Sequence, residues 1–451
     1  MIIIIGGGPA GRNAAVYLSM AGKDVTLVEK GGLSGIGGQC LHHGCMMVCG
    51  LNDAARVLSS ATLFAERGII ENGPAIRFPQ LISSLVEIQM KIAKVLDDET
   101  RNAGVNVIYG SEGRCEGKKV FIGDVFHDAD SVILATGSRL SIPDIPGTEL
   151  DGVITPHSLP SLRDLPSRLV IVGGGIMAAE FAFIFKAFGS EVHLLSRSAF
   201  LKNIDPKMQD MARKELAGVR IYEGCTTRVI NGNGRVESVS MVHSGKDMKI
   251  ECDAVLLATG LLPRSEMLNG IKKGPDGRVI VNRRMETSVP GVFACGDLTG
   301  SPCLTPVARK EGITAARNIL GEEVIMDYNS IPQSMNLYSE FAFVMPDDPE
   351  SISVAMPGPA GPGTFWSVPQ SMTGMGRVFF NPVNGRITGV QSVAPAGGIL
   401  AAYHTFMIEN GSRVQDFDSF LEVHPMTDAL YPLMKYASMG IKSGKYSHKK
   451  D

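Results

Sequence analysis

The chain begins with MIIIIGGGPAG (residues 1–11), and this stretch decides the fold. A run of isoleucines predicts a short buried parallel strand, and the glycines that follow have the spacing GxGxxG at Gly6, Gly8 and Gly11. Gly6 makes the turn, Gly8 lets the backbone approach a pyrophosphate, and Gly11 lets a helix pack closely on the strand. The order strand, glycine loop, helix therefore predicts a dinucleotide-binding unit.

The residues that follow complete this unit. A helix is expected over residues 12–21, and its N-terminus would hold the pyrophosphate. A second strand is expected over residues 24–28, ending in Glu29. Glu29 lies 18 residues after Gly11, where an acid bonds the ribose hydroxyls of an adenosine.

A second fingerprint lies in the middle of the chain, at LVIVGGGIMAAE (residues 169–180). Gly173 and Gly175 hold the first two positions, and Ala178 holds the third, where alanine is allowed. Two complete fingerprints in one chain imply that two dinucleotides bind at once. A flavin together with a nicotinamide cofactor is the combination that this predicts.

The second unit indicates which nicotinamide nucleotide binds. Its second strand, residues 191–195, is followed by Ser196 and Arg197, so the acid usual in an NAD site is absent. The guanidinium of Arg197 is placed to pair with a 2′-phosphate, which favours NADPH, although NAD remains possible. The alternative is that Arg197 is an ordinary surface charge.

Two cysteines five positions apart stand in GGQCLHHGCMMVC (residues 37–49), just after the first βαβ unit. In a regular helix Cys40 and Cys45 would point about 140° apart, but an unwound turn at the flanking glycines and Gly44 would bring the sulfurs within bonding reach. The functional interpretation is a redox-active disulfide that exchanges electrons with a flavin. The alternative is a pair of buried structural cysteines, since the C-x4-C spacing by itself is weak evidence.

The segment GGQCLHHGC (residues 37–45) resembles the G-G-T-C-L-N-x-G-C signature of the class I pyridine nucleotide-disulfide oxidoreductases, which include dihydrolipoamide dehydrogenase, glutathione reductase and mercuric reductase. The likeness continues at ATG (residues 135–137), GVFACGD (residues 291–297) and LTPVA (residues 304–308). It implies an α/β fold with two Rossmann-like domains and a C-terminal α+β dimerisation domain. The expected ranges are 1–145 and 264–328 for FAD, 146–263 for NAD(P), and 329–451 for the dimer interface.

The resemblance implies roles for individual residues. The expected FAD contacts are Gly6, Gly8, Gly11, Glu29, Lys30, Gly38, Gly113, Thr136, Gly137, Gly296, Asp297 and Ala308. The expected contacts of the nicotinamide cofactor are Gly173, Gly175, Ala178, Glu180, Arg197 and Gly260. By the family order, Cys45 is the sulfur next to the flavin, and Cys40 is the exposed interchange thiolate.

At two positions expected to take part in catalysis, the chain departs from the family pattern. The lysine that in relatives pairs with the glutamate at position 180 is replaced by Cys49, so Glu180 is expected to have a raised pKa. Cys49 is either a small packing residue or a further redox participant. The family motif H-P-T-x-x-E becomes HPMTDA at His424, so either Asp428 orients His424 as the acid–base pair or the pair has lost its carboxylate.

The resemblance therefore predicts a homodimeric FAD-dependent NAD(P)H:disulfide oxidoreductase, similar to dihydrolipoamide dehydrogenase, which reduces a small-molecule or lipoyl-type disulfide. His424 would act across the two-fold axis in the active site of the second protomer. One alternative is a flavin electron-transfer subunit or diaphorase that passes electrons to a quinone or a partner protein. The other is a scaffold that retains FAD without catalysis.

Composition limits the possible partners. The net charge of −3 is spread over the chain, so neither nucleic acid nor membrane is expected as a partner. The basic tail, residues 442–451, is expected to be a solvated end. No targeting segment or metal-ligand spacing is apparent, and eight cysteines without a secretory signal predict a reducing, cytoplasmic location.

Overall fold

The computed structural model describes residues 1–71, 73–300 and 302–446. Lys449 and Lys450 of the predicted basic tail lie outside the described residues. No helix in these ranges combines the length and the apolarity that are needed to cross a lipid bilayer.

The first part of the chain contains the predicted strand, glycine loop and helix. In order, its elements are β1 (Ile2–Ile5), α1 (Pro9–Met20), β2 (Val25–Glu29), α2 (Gly38–His42), α3 (Cys45–Glu66), α4 (Phe78–Asn102), β3 (Asn106–Tyr109), β4 (Gly113–Glu116), β5 (Lys119–Ile122), β6 (Val125–His127), β7 (Ser131–Leu134) and β8 (Ser138–Leu140). α1 begins three residues before the predicted helix because Pro9, whose φ is already helical, occupies its first turn.

The second part contains the second fingerprint, between its own strand and helix. Its elements are β9 (Val153–Ile154), β10 (Arg168–Val172), α5 (Ile176–Phe188), β11 (Glu191–Ser196), α6 (Pro206–Glu215), β12 (Arg220–Glu223), β13 (Thr226–Gly232), β14 (Val236–His243), β15 (Lys246–Glu251) and β16 (Ala254–Leu257).

The chain then returns to the first unit and ends in a separate antiparallel layer. The returning elements are β17 (Leu261–Pro263), β18 (Leu268–Asn269), β19 (Val292–Ala294) and α7 (Thr305–Ile319). The last layer is β20 (Gln333–Asn336), β21 (Glu340–Val344), β22 (Ile352–Pro357), β23 (Met375–Phe380), β24 (Ile387–Ala394), α8 (Gly397–Glu409) and α9 (Leu430–Lys442). Short 3-10 helices lie at Leu33–Gly35, Leu159–Ser161, Gly296–Thr299, Phe365–Gln370 and Val414–Phe417.

Two parallel five-stranded sheets form the centre of the molecule, and they confirm the predicted fold class. The first has the order β19-β7-β1-β2-β3 and the second β12-β11-β10-β16-β9. Their inner strands β1, β10 and β16 consist almost entirely of buried aliphatic residues, as expected for parallel sheets covered by helices on both faces. In both sheets the fingerprint loop follows the central strand, at the carboxyl edge where α/β proteins bind nucleotides.

The smaller sheets connect and extend these units. β13-β14-β15 and β18-β4-β5-β6 extend the second and first units, and β20-β21-β24-β23-β22 forms the antiparallel C-terminal layer. The sheet of β8 and β17 joins the two Rossmann-like units, with Ser138 opposite Pro263 and Leu140 opposite Leu261. The predicted domain ranges stay a proposal, and each sheet apart from the β8–β17 pair draws its strands from one of them.

Helices α1 and α7 cross closely although they lie far apart in the sequence. A Cβ atom added to Gly312 of α7 would stand 2.3 Å from the carbonyl oxygen of Ala10 in α1. Ala10 is itself buried in the first turn of α1. This crossing fixes the end of α7 that carries Thr305 and Ala308 against the first glycine loop.

Candidate active site

The first glycine loop is shaped to receive a phosphate-bearing ligand. Gly6 has a φ of 109°, and a Cβ added there would meet the carbonyl oxygen of Ala135 at 2.2 Å. A Cβ on Gly11 would meet the carbonyl oxygen of Gly6 at 2.1 Å, whereas one on Gly8 would meet only the Cα of Gly38 at 3.8 Å. The loop is therefore tight towards the protein and open on the side of Gly8, where the backbone N–H groups that begin α1 have no side-chain cap.

Glu29 lies at the end of β2, beside this loop. Its carboxylate accepts hydrogen bonds from the backbone N–H of Gly7 at 2.7 Å and of Gly31 at 2.8 Å. The next residue, Lys30, is exposed and pairs with Glu112 at 2.5 Å on the surface. The structure thus holds Glu29 where a ribose is expected, but it gives Lys30 a surface partner.

The other residues predicted to contact the flavin lie on segments that converge near the loop. Asp297 accepts a hydrogen bond from the Ser138 hydroxyl at 2.6 Å, and burial raises the pKa of the Asp297 carboxyl. The Thr136 hydroxyl donates to the carbonyl of Arg264 at 2.6 Å. Four of the other predicted contacts are glycines or alanine at crowded or turning positions: Gly113, whose added Cβ would lie 2.7 Å from Ile5; Gly137 and Gly296, with φ of 71° and 74°; and the buried Ala308.

Unpartnered polar atoms on the segment that follows Gly38 fit FAD. Gln39 Oε1 and His43 Nδ1 are buried and have no hydrogen-bond partner within the described ranges. Such atoms normally find a partner, and the hydroxyl, amide and phosphate groups of a flavin nucleotide would supply one. Together with the open side of Gly8, these unsatisfied atoms match a polar, extended cofactor.

The two cysteines flank a break between two helices, as predicted. α2 ends at His42, His43 and Gly44 leave the helical conformation, and Cys45 begins α3. Cys40 and Cys45 come within hydrogen-bonding reach of each other, and the Cys45 sulfur lies 3.7 Å from the hydroxyl of Thr305, near the start of α7. The two cysteines therefore lie where α2, α3 and α7 meet.

Of the two thiols, Cys40 is the one whose pKa is lowered. The hydrogen bond from Cys45 is the largest cause that lowers the pKa of Cys40 to about 6, and Thr305 and Arg309 lower it further against the effect of burial. The pKa of Cys45 is raised, first because Cys45 donates its hydrogen to the Cys40 thiolate in this hydrogen bond. In the single chain Cys40 is half-buried and Cys45 is exposed, which is the reverse of the predicted order of exposure. The charge, not the exposure, supports Cys40 as the attacking thiolate.

We expect alkylation of the reduced protein by iodoacetamide to show this charge order. Because the pKa of Cys40 is lowered to about 6, its thiolate should form as the pH rises through about 6, and its alkylation rate should level off above about pH 7. Cys49, with its raised pKa, should react only in alkaline solution. Peptide mapping after brief labelling at several pH values measures both. Labelling at neutral pH that falls mainly on Cys49 would contradict this assignment.

Glu180 of α5 is buried and faces Cys45 and Cys49 of α3. It accepts hydrogen bonds from the backbone N–H of Asn336 at 2.8 Å and from the Asn336 side chain at 3.4 Å. Burial is the largest cause that raises the pKa of Glu180 to about 7, which confirms the predicted direction. Cys49 faces this carboxyl, and although part of its surface is exposed in the single chain, its thiol is shielded enough that burial is the largest cause that raises its pKa.

The second fingerprint repeats the geometry of the first. Gly173 has a φ of 147°, and its added Cβ would lie 2.3 Å from the carbonyl oxygen of Ala258, whereas Gly175 has open space around it. Ala178 is fully buried at the third position. Gly260, also predicted to contact the cofactor, has a φ of 98° and open space as well.

Ser196 occupies the place in the second unit that Glu29 occupies in the first. A Cβ on Gly174 would lie 1.9 Å from the Ser196 hydroxyl oxygen, just as one on Gly7 would lie 3.0 Å from the Glu29 carboxylate. Arg197 therefore matches Lys30. Unlike Lys30, Arg197 makes no hydrogen bond or ion pair with any residue that the structure describes, and it is exposed.

The structure does not bring His424 and Asp428 together. His424 is exposed, whereas the Asp428 carboxylate accepts the backbone N–H of Leu430 at 2.6 Å at the start of α9. Asp428 faces a different histidine, the buried His404, whose Nδ1 donates to the carbonyl of Leu400 at 2.7 Å and whose Nε2 has no partner among the described residues. Within the chain, Asp428 therefore accepts a hydrogen bond at the start of α9 and faces His404, and it does not orient His424.

Several polar residues of the site were missed in the sequence. Glu311 of α7 accepts the backbone N–H of Gly296 at 2.6 Å. His43 packs against His157 with ring centroids 4.3 Å apart. Arg56 of α3 is the cation that acts on Glu180. The spacing of Cys45, Cys49 and Arg56 on one helical face was the available signal for Arg56.

Comparison with known proteins gives a consistent result. Residues 1–312 match the family model described as pyridine nucleotide-disulphide oxidoreductase. The chain is 31% identical over 440 residues to an uncharacterized protein of Methanocaldococcus jannaschii, covering 95% of this chain and 96% of that protein. It is 30% identical to the dihydrolipoyl dehydrogenase of Bacillus subtilis, with 94% and 95% covered, and 28% identical to the mercuric reductase of Staphylococcus aureus, with 95% and 81% covered.

A solved structure has the same fold. The HOCl-induced flavoprotein disulfide reductase RclA from Escherichia coli superimposes with a TM-score of 0.83, covering 96% of this chain and 99% of that one. The sequence identity is 22%, so this match speaks for the fold alone.

Proposed function

Because the chain belongs to the pyridine nucleotide-disulphide oxidoreductase family, we propose that it uses NAD(P)H and FAD to reduce a small-molecule disulfide through Cys40 and Cys45. The observation that carries the proposal is the contact between these two thiols at the break between α2 and α3, with the negative charge on Cys40. The Bacillus subtilis and Staphylococcus aureus relatives bear the names of enzymes for different substrates, so a lipoyl-type disulfide is one candidate among several.

The proposed cofactor sites use the two glycine loops. FAD would be held by the loop at Gly6 and Gly8, by Glu29 and by Asp297, and when bound it links the hydride of NAD(P)H to the disulfide of the protein. The nicotinamide nucleotide would lie on the loop at Gly173 and Gly175, near Glu180. The predicted preference for NADPH is supported by Ser196 in place of an acid and by the unpaired Arg197.

The thiol steps follow from the charges of the two cysteines. The Cys40 thiolate attacks one sulfur of a substrate RSSR, which forms a Cys40–SR mixed disulfide and releases RS⁻. Cys45 gives up its proton and attacks the sulfur of Cys40, which forms the Cys40–Cys45 disulfide and releases the second RS⁻. Two electrons have then passed from the two cysteines to the substrate, and each released thiolate takes up one proton.

Protonation of the released thiolates is assigned to His424 of a second copy of the chain, in a proposed homodimer. His424 is exposed, and its neighbours Leu421 and Val423 leave 88% and 75% of their surface exposed. Apolar side chains exposed to this degree around a histidine suit a segment that docks on another protomer. The unpaired state of the cysteines suits a reducing compartment, for which we propose the cytoplasm.

A flavin electron-transfer protein or diaphorase is the second candidate. It is favoured by Cys49, which leaves Glu180 without the lysine found in relatives and so changes the charge that the cofactor would meet. In this alternative the cysteines are silent, and electrons go to a quinone or to a partner protein.

Anaerobic reduction of the holoenzyme tests the proposed function. NADPH, and NADH in a separate experiment, are added stepwise while the flavin absorbance is recorded and the electrons are counted. We expect the first two electrons to produce a long-wavelength band between thiolate and flavin, and only a second pair to bleach the flavin. Bleaching by the first pair, without that band, would favour the electron-transfer alternative.

A further inference from the structure

Three side chains on one face of α3 hold a short segment of the C-terminal layer. The segment is residues 336–339, here called the strap. Asn52 donates to the carbonyl of Asn336 at 2.8 Å, Arg56 Nε donates to the carbonyl of Leu337 at 2.8 Å, and the Ser60 hydroxyl lies 3.3 Å from that of Tyr338. The same face of α3 begins with Cys45 and Cys49, so one helix joins the redox pair to the strap.

Carboxyl groups hold the strap from the other side. Glu180 of α5 accepts the N–H of Asn336 at 2.8 Å, and Glu215 of α6 accepts the N–H of Ser339 at 3.2 Å. Glu340, which follows the strap, lies 3.6 Å from Arg56 Nη1. The guanidinium of Arg56 therefore stands among three acidic side chains that come from two different units of the fold.

Arg56 is the cation that these groups share. Glu180 faces Cys45, Cys49 and Arg56 from α3 and Asn336 from the strap, and Arg56 is the positive charge among them. Glu215 faces Arg56 and Lys186. The buried carboxyls of Glu180 and Glu215 and the part-buried carboxyl of Glu340 share this guanidinium, with Lys186 as a further cation beside Glu215. Burial raises the pKa of Glu180 to about 7, so Glu180 has reason to keep its proton.

We propose that Arg56 is a positioning residue that sets the ionisation of Glu180, and with it the charge beside the reacting part of the flavin. The inference rests on the proposed function, because that places Glu180 next to the cofactor. Arg56 Nη2 is buried and has no hydrogen-bond partner within the residues described, so the guanidinium keeps one donor for a newly ionised carboxylate. Loss of the Glu180 proton would strengthen its attraction to Arg56 and add a negative charge that disfavours a reduced, anionic flavin.

Infrared difference spectroscopy of the oxidised holoenzyme, titrated with acid and base, tests this proposal directly. The C=O band of a protonated carboxyl group reports Glu180, and its disappearance in Glu180→Gln assigns it. We expect a midpoint of about 7 in the wild-type protein and a higher midpoint in Arg56→Gln, because a charge that favours the ionised form is lost. Arg56→Lys should restore most of the difference.

Matched variants separate the charge of Arg56 from its structural contacts. Ser60→Ala removes a neighbouring contact between α3 and the strap without changing any charge, and it should leave the midpoint unchanged. Glu340→Gln removes a competitor for Arg56, and it should lower the midpoint. This opposite sign tests the inference even if Arg56→Gln fails to fold.

Two outcomes would contradict two different claims, the role of Arg56 and the placement of Glu180 beside the flavin. A midpoint that is the same in the wild-type protein, Arg56→Gln and Glu340→Gln would overturn the role of Arg56. The flavin absorbance is followed in the same titration. If it responds to pH identically in the wild-type protein and in Glu180→Gln, the placement of Glu180 beside the flavin fails, while the coupling between Arg56 and Glu180 is still measured by the infrared band.

Discussion

Replacement of Cys40 by serine is expected to abolish disulfide reduction, with a loss of about a thousandfold or more in kcat. A serine hydroxyl at neutral pH cannot replace the thiolate whose pKa is lowered to about 6, and no mixed disulfide can form on an oxygen. The measurement is steady-state reduction of a disulfide panel that includes lipoamide, with NADPH as the electron donor. Electron transfer to a quinone, measured on the same sample, should survive because it does not need the cysteines.

Cys49→Ser is the matched control for this loss. Cys49 lies one helical turn beyond Cys45 on α3 and has a raised pKa, first because of burial, so it should remain a neutral thiol. If it has no redox role, its replacement leaves disulfide reduction within about twofold of the wild-type rate. A loss comparable to that of Cys40→Ser would make it a third redox participant. Full disulfide reductase activity in Cys40→Ser would refute the proposed mechanism.

Replacement of Arg197 by alanine should raise the KM for NADPH by about 10- to 100-fold and change the KM for NADH by no more than about twofold. A hydrogen bond between charged groups contributes about 1.5–3 kcal/mol, which corresponds to this range. Arg197 is free to make that bond because it has no other partner in the described part of the chain. Initial rates at varied concentrations of each nucleotide measure the effect.

Two further variants test the same position. Arg197→Lys should keep part of the preference, because it retains the charge without the two-pronged geometry of a guanidinium. Ser196→Glu should improve the use of NADH, because it returns a carboxylate to the place that Glu29 occupies in the first unit. Equal losses with both nucleotides in Arg197→Ala would show that Arg197 supports the fold of the loop and does not select the nucleotide.

The parts of the fold that were predictable are those fixed by local sequence. β1 and β10 are short apolar runs that end in glycine fingerprints, so strand, loop and helix could all be predicted from a few neighbouring residues. The break between α2 and α3 was predictable for the same reason, because Gly44 lies directly between the cysteines.

The contacts that were missed join segments far apart in the chain. Nothing near Asp428 in the sequence indicates that it faces His404, because the helix of His404 is brought to it only by the C-terminal sheet. Arg56 presented the same difficulty, since its role depends on the strap, 280 residues later, and on Glu180. Side-chain chemistry suggested candidates at these positions, but the partner was decided by tertiary packing.

The small sheet of β8 and β17 has an evolutionary consequence. The chain leaves the first Rossmann-like unit at Ser141 and returns at Gly260, and these two residues are joined by a backbone hydrogen bond of 2.9 Å. Entry and exit therefore lie side by side, so the intervening segment could be exchanged between homologous enzymes as one piece, provided that the recipient keeps the core that α3 and α5 share. Recombination at this point would carry the second glycine fingerprint, and Glu180 with it, into the host as one unit.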